Sequence, residues 1–239
     1  MMRSILYGVW YYGVTVVLAI LYIPLLALPR SAIRAGIRVW ARMLIWGMRV
    51  IGGVRLEVRG LERLPKGVPV LLAAKHQSMF DIVPAFAYMP DALFVMKKEL
   101  MRIPVFGWLN RKHGTIVVDR EGEANAMRKL IADARDRFKQ PRQLLIFPEG
   151  TRRVPGAAPA YKPGVAGIYR DLQTPCVPVA TNTGLHINSA GIATSPGTVV
   201  YEILEPIPAG LKRADFMRLL QERIETASDA LLLLRGSLE

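Results

Sequence analysis

The chain has 239 residues, 51% of them hydrophobic, with 32 Lys and Arg against 19 Asp and Glu for a formal net charge of +13. That length suits one sizeable domain with a full core, and the apolar content excludes an intrinsically disordered chain. The charge points to an anionic partner such as nucleic acid, anionic lipid or a phosphorylated substrate, and the single cysteine, Cys176, rules out an internal disulfide.

Residues Ser4 to Pro29 carry no charge. A helix running to Ile23, at about 1.5 Å per residue, would extend about 28 Å from Ile5, close to the ~30 Å hydrocarbon core of a bilayer. Pro24 and Pro29 should kink or end it, and Trp10, Tyr11, Tyr12 and Tyr22 suit the headgroup level. Residues 31–53 read as a second helix, with Ser31 as its N-cap and Gly52-Gly53 as its stop. At about 100° per residue, Arg34, Arg38, Arg42 and Arg49 share a stripe about 80° wide, and Trp40, Met43, Leu44 and Val50 lie away from it. Basic residues mixed with Trp, Tyr and Leu favour a membrane surface over nucleic acid. Residues 1–52 are therefore expected to form a two-helix membrane anchor, with a full span and a dip into one leaflet both open.

After Gly53 the pattern changes. "VRLEVRG" alternates like a half-buried strand, and 68–74, 92–96, 115–119, 143–147, 176–181 and 198–204 are short apolar runs. Several are nearly continuous, as expected of strands covered on both faces. Helical stretches lie between them: the segment after His76, 123–139, 164–172 and 213–234. This alternation predicts an α/β fold, a largely parallel sheet flanked by helices, over residues 53–239 as one domain.

In such sheets functional groups gather at the carboxyl ends of strands. Four polar segments sit there: "KHQSMFD", the "DR" of "GTIVVDR", "PEGTRR" and "TNTG". His76 and Asp81, five residues apart, cannot share a face of one helix. They can meet if His76 lies in the turn and Asp81 in the first helical turn, where a carboxylate on one ring nitrogen would leave the other as a base. That spacing is equally that of an ordinary loop histidine. Arg120, Arg152, Arg153 and Lys162 offer phosphate donors, and Gly150 offers close backbone approach and an N–H. Ser78 lacks the G-x-S-x-G elbow of a serine hydrolase. His113 and His186 read as structural, and no Cys/His cluster or glycine-rich nucleotide loop is present.

Taken in order, "KHQSMFD", "GTIVVDR", "FPEGTRR" with "YKPG", and "VPVATNTG" resemble the glycerolipid acyltransferase family over roughly residues 50–210. Lys75 stands where many relatives carry Asn. The resemblance implies that His76, oriented by Asp81, deprotonates the sn-2 hydroxyl of lysophosphatidic acid, which attacks an acyl thioester to give phosphatidic acid. It implies that Arg120, Arg152 and Lys162 hold the acceptor phosphate and that Glu149, Gly150 and Thr151 shape its site, with "VPVA" as support. The donor would be acyl-CoA or acyl-ACP as co-substrate, with no metal or other cofactor. The enzyme would work on membrane lipid at the cytoplasmic side of the cell inner membrane. Residues 97–114 would help form an acyl-chain channel. Another lysolipid acceptor, such as a lyso-ornithine lipid, and a non-catalytic membrane-binding module are the rival readings.

Overall fold

The computed structural model describes residues 2–118, 123–193 and 195–233. Among them seven strands form one sheet: β1 (Val54–Arg59), β2 (Val70–Ala74), β3 (Ala92–Lys97), β4 (Ile116–Val118), β5 (Gln143–Ile146), β6 (Cys176–Thr181) and β7 (Gly197–Ile203). Their order is β1-β7-β6-β2-β5-β3-β4. The five strands from β6 to β4 run parallel, β1 runs parallel to β7, and β6 meets β7 antiparallel. The expected α/β fold with a largely parallel sheet is what forms.

The sequence dictates the two-sided burial. In β2, Val70, Leu72 and Ala74 point into one hydrophobic cluster and Leu71 and Ala73 into the other, the period-2 alternation of a strand buried on both faces. Helices α5 (Glu123–Arg137), α6 (Gly164–Leu172) and α7 (Arg213–Leu233) cover the second face, with Leu130, Ile168 and Phe216 among the side chains they bury. The first face takes α1 (Met2–Leu21), α2 (Arg30–Val50) and α3 (Ile82–Tyr88). Tyr7, Tyr11, Ala41, Leu44 and Met48 share one cluster with Val70 and Leu72, so the N-terminal helices pack directly on the sheet.

α1 and α2 form an antiparallel hairpin. Trp10 Nε1 donates to Met43 O at 3.2 Å, Trp40 Nε1 to Thr15 Oγ1 at 3.0 Å and Tyr22 Oη to Gly36 O at 2.9 Å. Gly47 makes the approach possible: a Cβ there would stand 2.0 Å from Trp10 Nε1. Trp10, Tyr11 and Tyr22 are thus turned toward protein, and of the four aromatics expected at headgroup level only Tyr12 is strongly exposed. α1 ends before Pro24, as expected, in a 3₁₀ turn at Ile23–Ala27. Ser31 is not the cap of α2. The helix starts one residue earlier behind Pro29, without a side-chain cap.

Two arginines at the start of α2 face a buried acid instead of solvent. Asp91, just before β3, accepts Arg30 through both oxygens at 2.9 and 2.8 Å, and lies 3.5 Å from Arg34 and 3.2 Å from Arg142. Arg38 donates to the carbonyls of Met89 and Pro90. Part of the basic stripe therefore ties the hairpin to the sheet. The sequence pattern also gave no helix between β3 and β4, but α4 (Phe106–His113) forms there. Pro104 lies just outside this helix, and close packing requires Gly107 within it, because a Cβ there would stand 2.1 Å from Met101 O.

α4 ends in His113, whose Nε2 lies 2.8 Å from Ala92 O in the core. Burial pulls its pKa down to about 4, against the hydrogen bond to Ala92. An unfolded imidazole takes a proton below about 6.5, which the folded one refuses until about 4, so stability should fall as pH drops through that window. Urea denaturation from pH 4 to 7 should show this slope, and His113→Gln should flatten it; an unchanged slope in the variant would assign the effect elsewhere.

Candidate active site

β6, β2 and β5 are adjacent and parallel, so the segments leaving their carboxyl ends meet at one edge. β2 runs into Lys75 and His76. The chain then turns through a capping box: Ser78 Oγ accepts the Phe80 N–H at 3.2 Å, and Asp81 Oδ2 accepts the Ser78 N–H at 2.8 Å. This puts Asp81 at the foot of α3, fully buried.

Asp81 Oδ2 also accepts the Gln77 N–H at 2.6 Å and lies 3.0 Å from His76 Nδ1. A carboxylate oxygen that takes two backbone donors is an acceptor, so in the neutral imidazole the proton sits on Nδ1 toward Asp81 and the lone pair is on Nε2. The imidazole stacks on Phe147, the residue after β5, with ring centroids 3.8 Å apart and planes 14° from parallel. Its side chain is 15% exposed, so an approaching substrate can still reach it.

The His76 backbone is clamped as well. Its N–H donates to Glu149 Oε2 at 2.9 Å, and its carbonyl accepts the Arg153 N–H at 2.8 Å. The "FPEGTRR" segment thus holds His76 through two peptide hydrogen bonds and one aromatic face. Glu149 is buried, and its other oxygen lies 2.9 Å from Lys75 Nζ. One oxygen holds the His76 N–H and the other faces the Lys75 ammonium, both buried, so its effect on any substrate passes through the backbone it holds.

The other expected site residues are placed as follows. Gly150 has φ +67°, and its N–H is taken by Phe147 O at 3.0 Å, which corrects the expectation of a free donor there. The closed turn consumes that N–H. Lys162 runs alongside: its Cγ would lie 3.4 Å from a Cβ at Gly150. Thr151, Arg152 and Lys162 are exposed, and Arg152 donates to Ser189 O. Arg120 lies outside the described residues. Ser78 is buried and its Oγ donates to Asn188 O at 2.8 Å, a structural task and not that of a nucleophile. In "TNTG", the Gly184 N–H donates to Gln77 Oε1 at 2.8 Å and Asn182 Oδ1 accepts the Val200 N–H at 2.8 Å, so this segment supports the edge. Cys176 is buried, and burial pushes its thiol pKa up.

A family model described as Acyltransferase matches residues 55–182, from the first strand into the last of the four motifs. The chain belongs to the acyltransferase family. It is 34% identical over 170 residues to a 1-acyl-sn-glycerol-3-phosphate acyltransferase of Pseudomonas aeruginosa, an alignment covering 71% of this chain and 66% of that one. It is 30% identical over 167 residues to the human 1-acyl-sn-glycerol-3-phosphate acyltransferase beta, covering 68% of this chain and 60% of the relative. The fold is similar to the crystal structure of a 1-acyl-sn-glycerophosphate (LPA) acyltransferase from Thermotoga maritima, with a TM-score of 0.81, 21% identity and 96% of each chain covered.

Sequence reasoning paired His76 with Asp81 because both lie in one short segment. It missed Phe147 as a ring platform and Arg153 as a backbone donor, although both lie in the quoted "FPEGTRR". Asp81→Asn keeps an oxygen for the backbone donors and removes the charge that orients the ring. It should lower kcat by about 10²–10⁴-fold while urea denaturation shows a folded protein; activity within a few-fold of the parent would remove Asp81 from this role.

Proposed function

We propose that the protein transfers a fatty acyl group from an acyl thioester to the sn-2 hydroxyl of lysophosphatidic acid, giving phosphatidic acid. The observation that carries this reading is the partly exposed His76 imidazole, 3.0 Å through Nδ1 from buried Asp81, with the exposed bases Arg152 and Lys162 on the segment that clamps its backbone. The names of the relatives support the substrate class.

In this reading Nε2 takes the hydroxyl proton as the oxygen attacks the thioester carbonyl carbon. The carbon–sulfur bond then breaks, and the departing thiolate takes the proton back from the imidazolium, so atoms and charge balance without an acyl-enzyme. Asp81 stabilises the imidazolium that forms between the two steps. Arg152 and Lys162, with Arg120, hold the acceptor phosphate, and Glu149, Gly150 and Thr151 shape the turn beside it. Acyl-CoA and acyl-ACP both fit as donors, with no metal or further cofactor required. A lyso-ornithine acceptor is less favoured, because it offers these bases one carboxylate, offset by its own ammonium, in place of a phosphate of higher charge.

The lipid substrate and product suit a membrane-bound enzyme. Met2–Leu21 is the one described helix long and apolar enough to cross a membrane. Ile5, Val9, Tyr12, Val16 and Ile20 recur at helical spacing along α1 and are each half exposed or more. We assign this stripe to lipid contact and residues 1–52 to the anchor, on the cytoplasmic side of the cell inner membrane. Because α1 starts and α2 ends toward the His76 edge, the hairpin would bring that edge to the lipid. The exposed Leu100, Ile103 and Trp108 extend the apolar surface, and we place the acyl chain near them.

Membranes carrying the protein should convert labelled acyl thioester to phosphatidic acid only when lysophosphatidic acid is added, and His76→Ala should cut turnover about 10²-fold or more. Labelled fatty acid released without acceptor would instead indicate a hydrolase, and no turnover of any acceptor a non-catalytic module. Arg152→Ala and Arg120→Ala should raise KM for the phosphorylated acceptor. An equal loss with a phosphate-free acceptor would contradict the phosphate contact.

A further inference from the structure

Lys75 and Glu225 are explained by neither the base nor the acceptor phosphate. The Lys75 side chain is 3% exposed, directly beside the proposed base. Its Nζ donates to Glu225 Oε1 at 2.8 Å and Oε2 at 2.7 Å and lies 2.9 Å from Glu149 Oε1. Tyr161 Oη donates to Glu225 Oε1 at 2.8 Å. Burial alone would lower the Lys75 pKa, but the hydrogen bonds to Glu225 and Glu149 outweigh it and hold the ammonium above its ordinary value. A continuous path therefore runs from α7 to the active-site backbone: Glu225, Lys75, Glu149, then the His76 N–H.

We infer that Lys75 and Glu225 are positioning residues for the acyl transfer, acting on the His76 peptide through Glu149. The inference rests on the reading of His76 as the base. The physical reason is charge balance in a dry place. Two carboxylates, Glu149 and Glu225, face one ammonium, with the Tyr161 hydroxyl as the further donor. Without the ammonium, Glu149 would be a buried anion beside a second anion, and one of the pair would take a proton or turn away. Either change weakens the acceptor that fixes the His76 N–H. The imidazole would then shift against Asp81 and Phe147, and a displacement of about 1 Å at a reacting group costs about 10²-fold. Glu225 in turn meets Lys75 with both oxygens, which sets where the ammonium sits. The contacts of Lys75 and Glu225 are with each other, Glu149 and Tyr161, and none is with the exposed bases Arg152 and Lys162, so loss should appear in kcat and leave substrate binding in place.

Steady-state kinetics on the full chain in detergent–lipid micelles, with both substrates varied, tests this. Glu225→Gln keeps the shape and one acceptor oxygen while removing the charge; it should lower kcat about 10-fold with both KM values within about twofold. Lys75→Met should lower kcat further, and Lys75→Arg should restore part of it. Tyr161→Phe, which leaves all three charges in place, is the milder variant and should lower kcat about two- to threefold at unchanged KM. Thermal melting of each variant guards against unfolding; if Glu225→Gln melts below the assay temperature, Tyr161→Phe decides. A folded Glu225→Gln or Tyr161→Phe with parental kcat overturns the inference, as does a loss confined to KM. His76→Ala measured alongside separates the two claims: if it keeps activity, the base assignment fails, whatever the Glu225 result.

Discussion

The rest of the site depends on how one residue, His76, is held. His76 leaves β2 with its N–H on Glu149, its carbonyl on Arg153, its ring on Phe147 and its Nδ1 on Asp81. Each contact alone is modest, since a hydrogen bond contributes about 0.5–1.5 kcal/mol net. Together they leave the imidazole one orientation. Asp81 could not do this alone: a carboxylate orients a ring only if the carboxylate is itself fixed, and here two backbone donors fix it, one of them as half of a capping box. The parallel sheet supplies the frame, because β2 and β5 end side by side and deliver the two halves of the clamp to one place.

The same logic orders the N-terminal helices. A free amphipathic hairpin would be a tether. This one is bolted to the sheet by a buried core and by Arg30 on Asp91 at the far edge. Such bolting matters for chemistry on lipid, because an anchor that packs on the catalytic core sets the height and tilt of the site relative to the bilayer, which a flexible tether cannot. The arginines of α2 that pack against Asp91 and the end of α3 are then part of the frame, while the apolar stripe of α1 stays exposed.

How much of this was legible in the sequence follows from distance along the chain. The strands were legible because β-branched and apolar residues recur in short runs, and β2 buries both faces as its continuous run implied. His76 and Asp81 were legible because a five-residue turn brings them together whatever the rest of the fold does. The motif order added the family resemblance, which the family model bears out. Glu225 was not legible: it meets Lys75 from 150 residues away, on a helix whose exposed charges all look alike in sequence. Asp91 was hidden for the same reason, so the arginine stripe could be seen but not its partner. α4 was not legible either: it is only eight residues long, and Gly107 within it is there for a close approach to the Met101 carbonyl that only the fold reveals.

The central claim is that His76 is held as the Nδ1–H tautomer, with Nε2 unprotonated and ready to accept. Nitrogen-15 NMR of the histidine side chains, assigned by comparison with His76→Ala, reads this directly in the resting protein near neutral pH. The account predicts a protonated Nδ1 in a hydrogen bond and a bare Nε2 for His76, with the Nδ1 signal changed in Asp81→Asn. A His76 ring found as the Nε2–H tautomer, or one indifferent to Asp81→Asn, would contradict it.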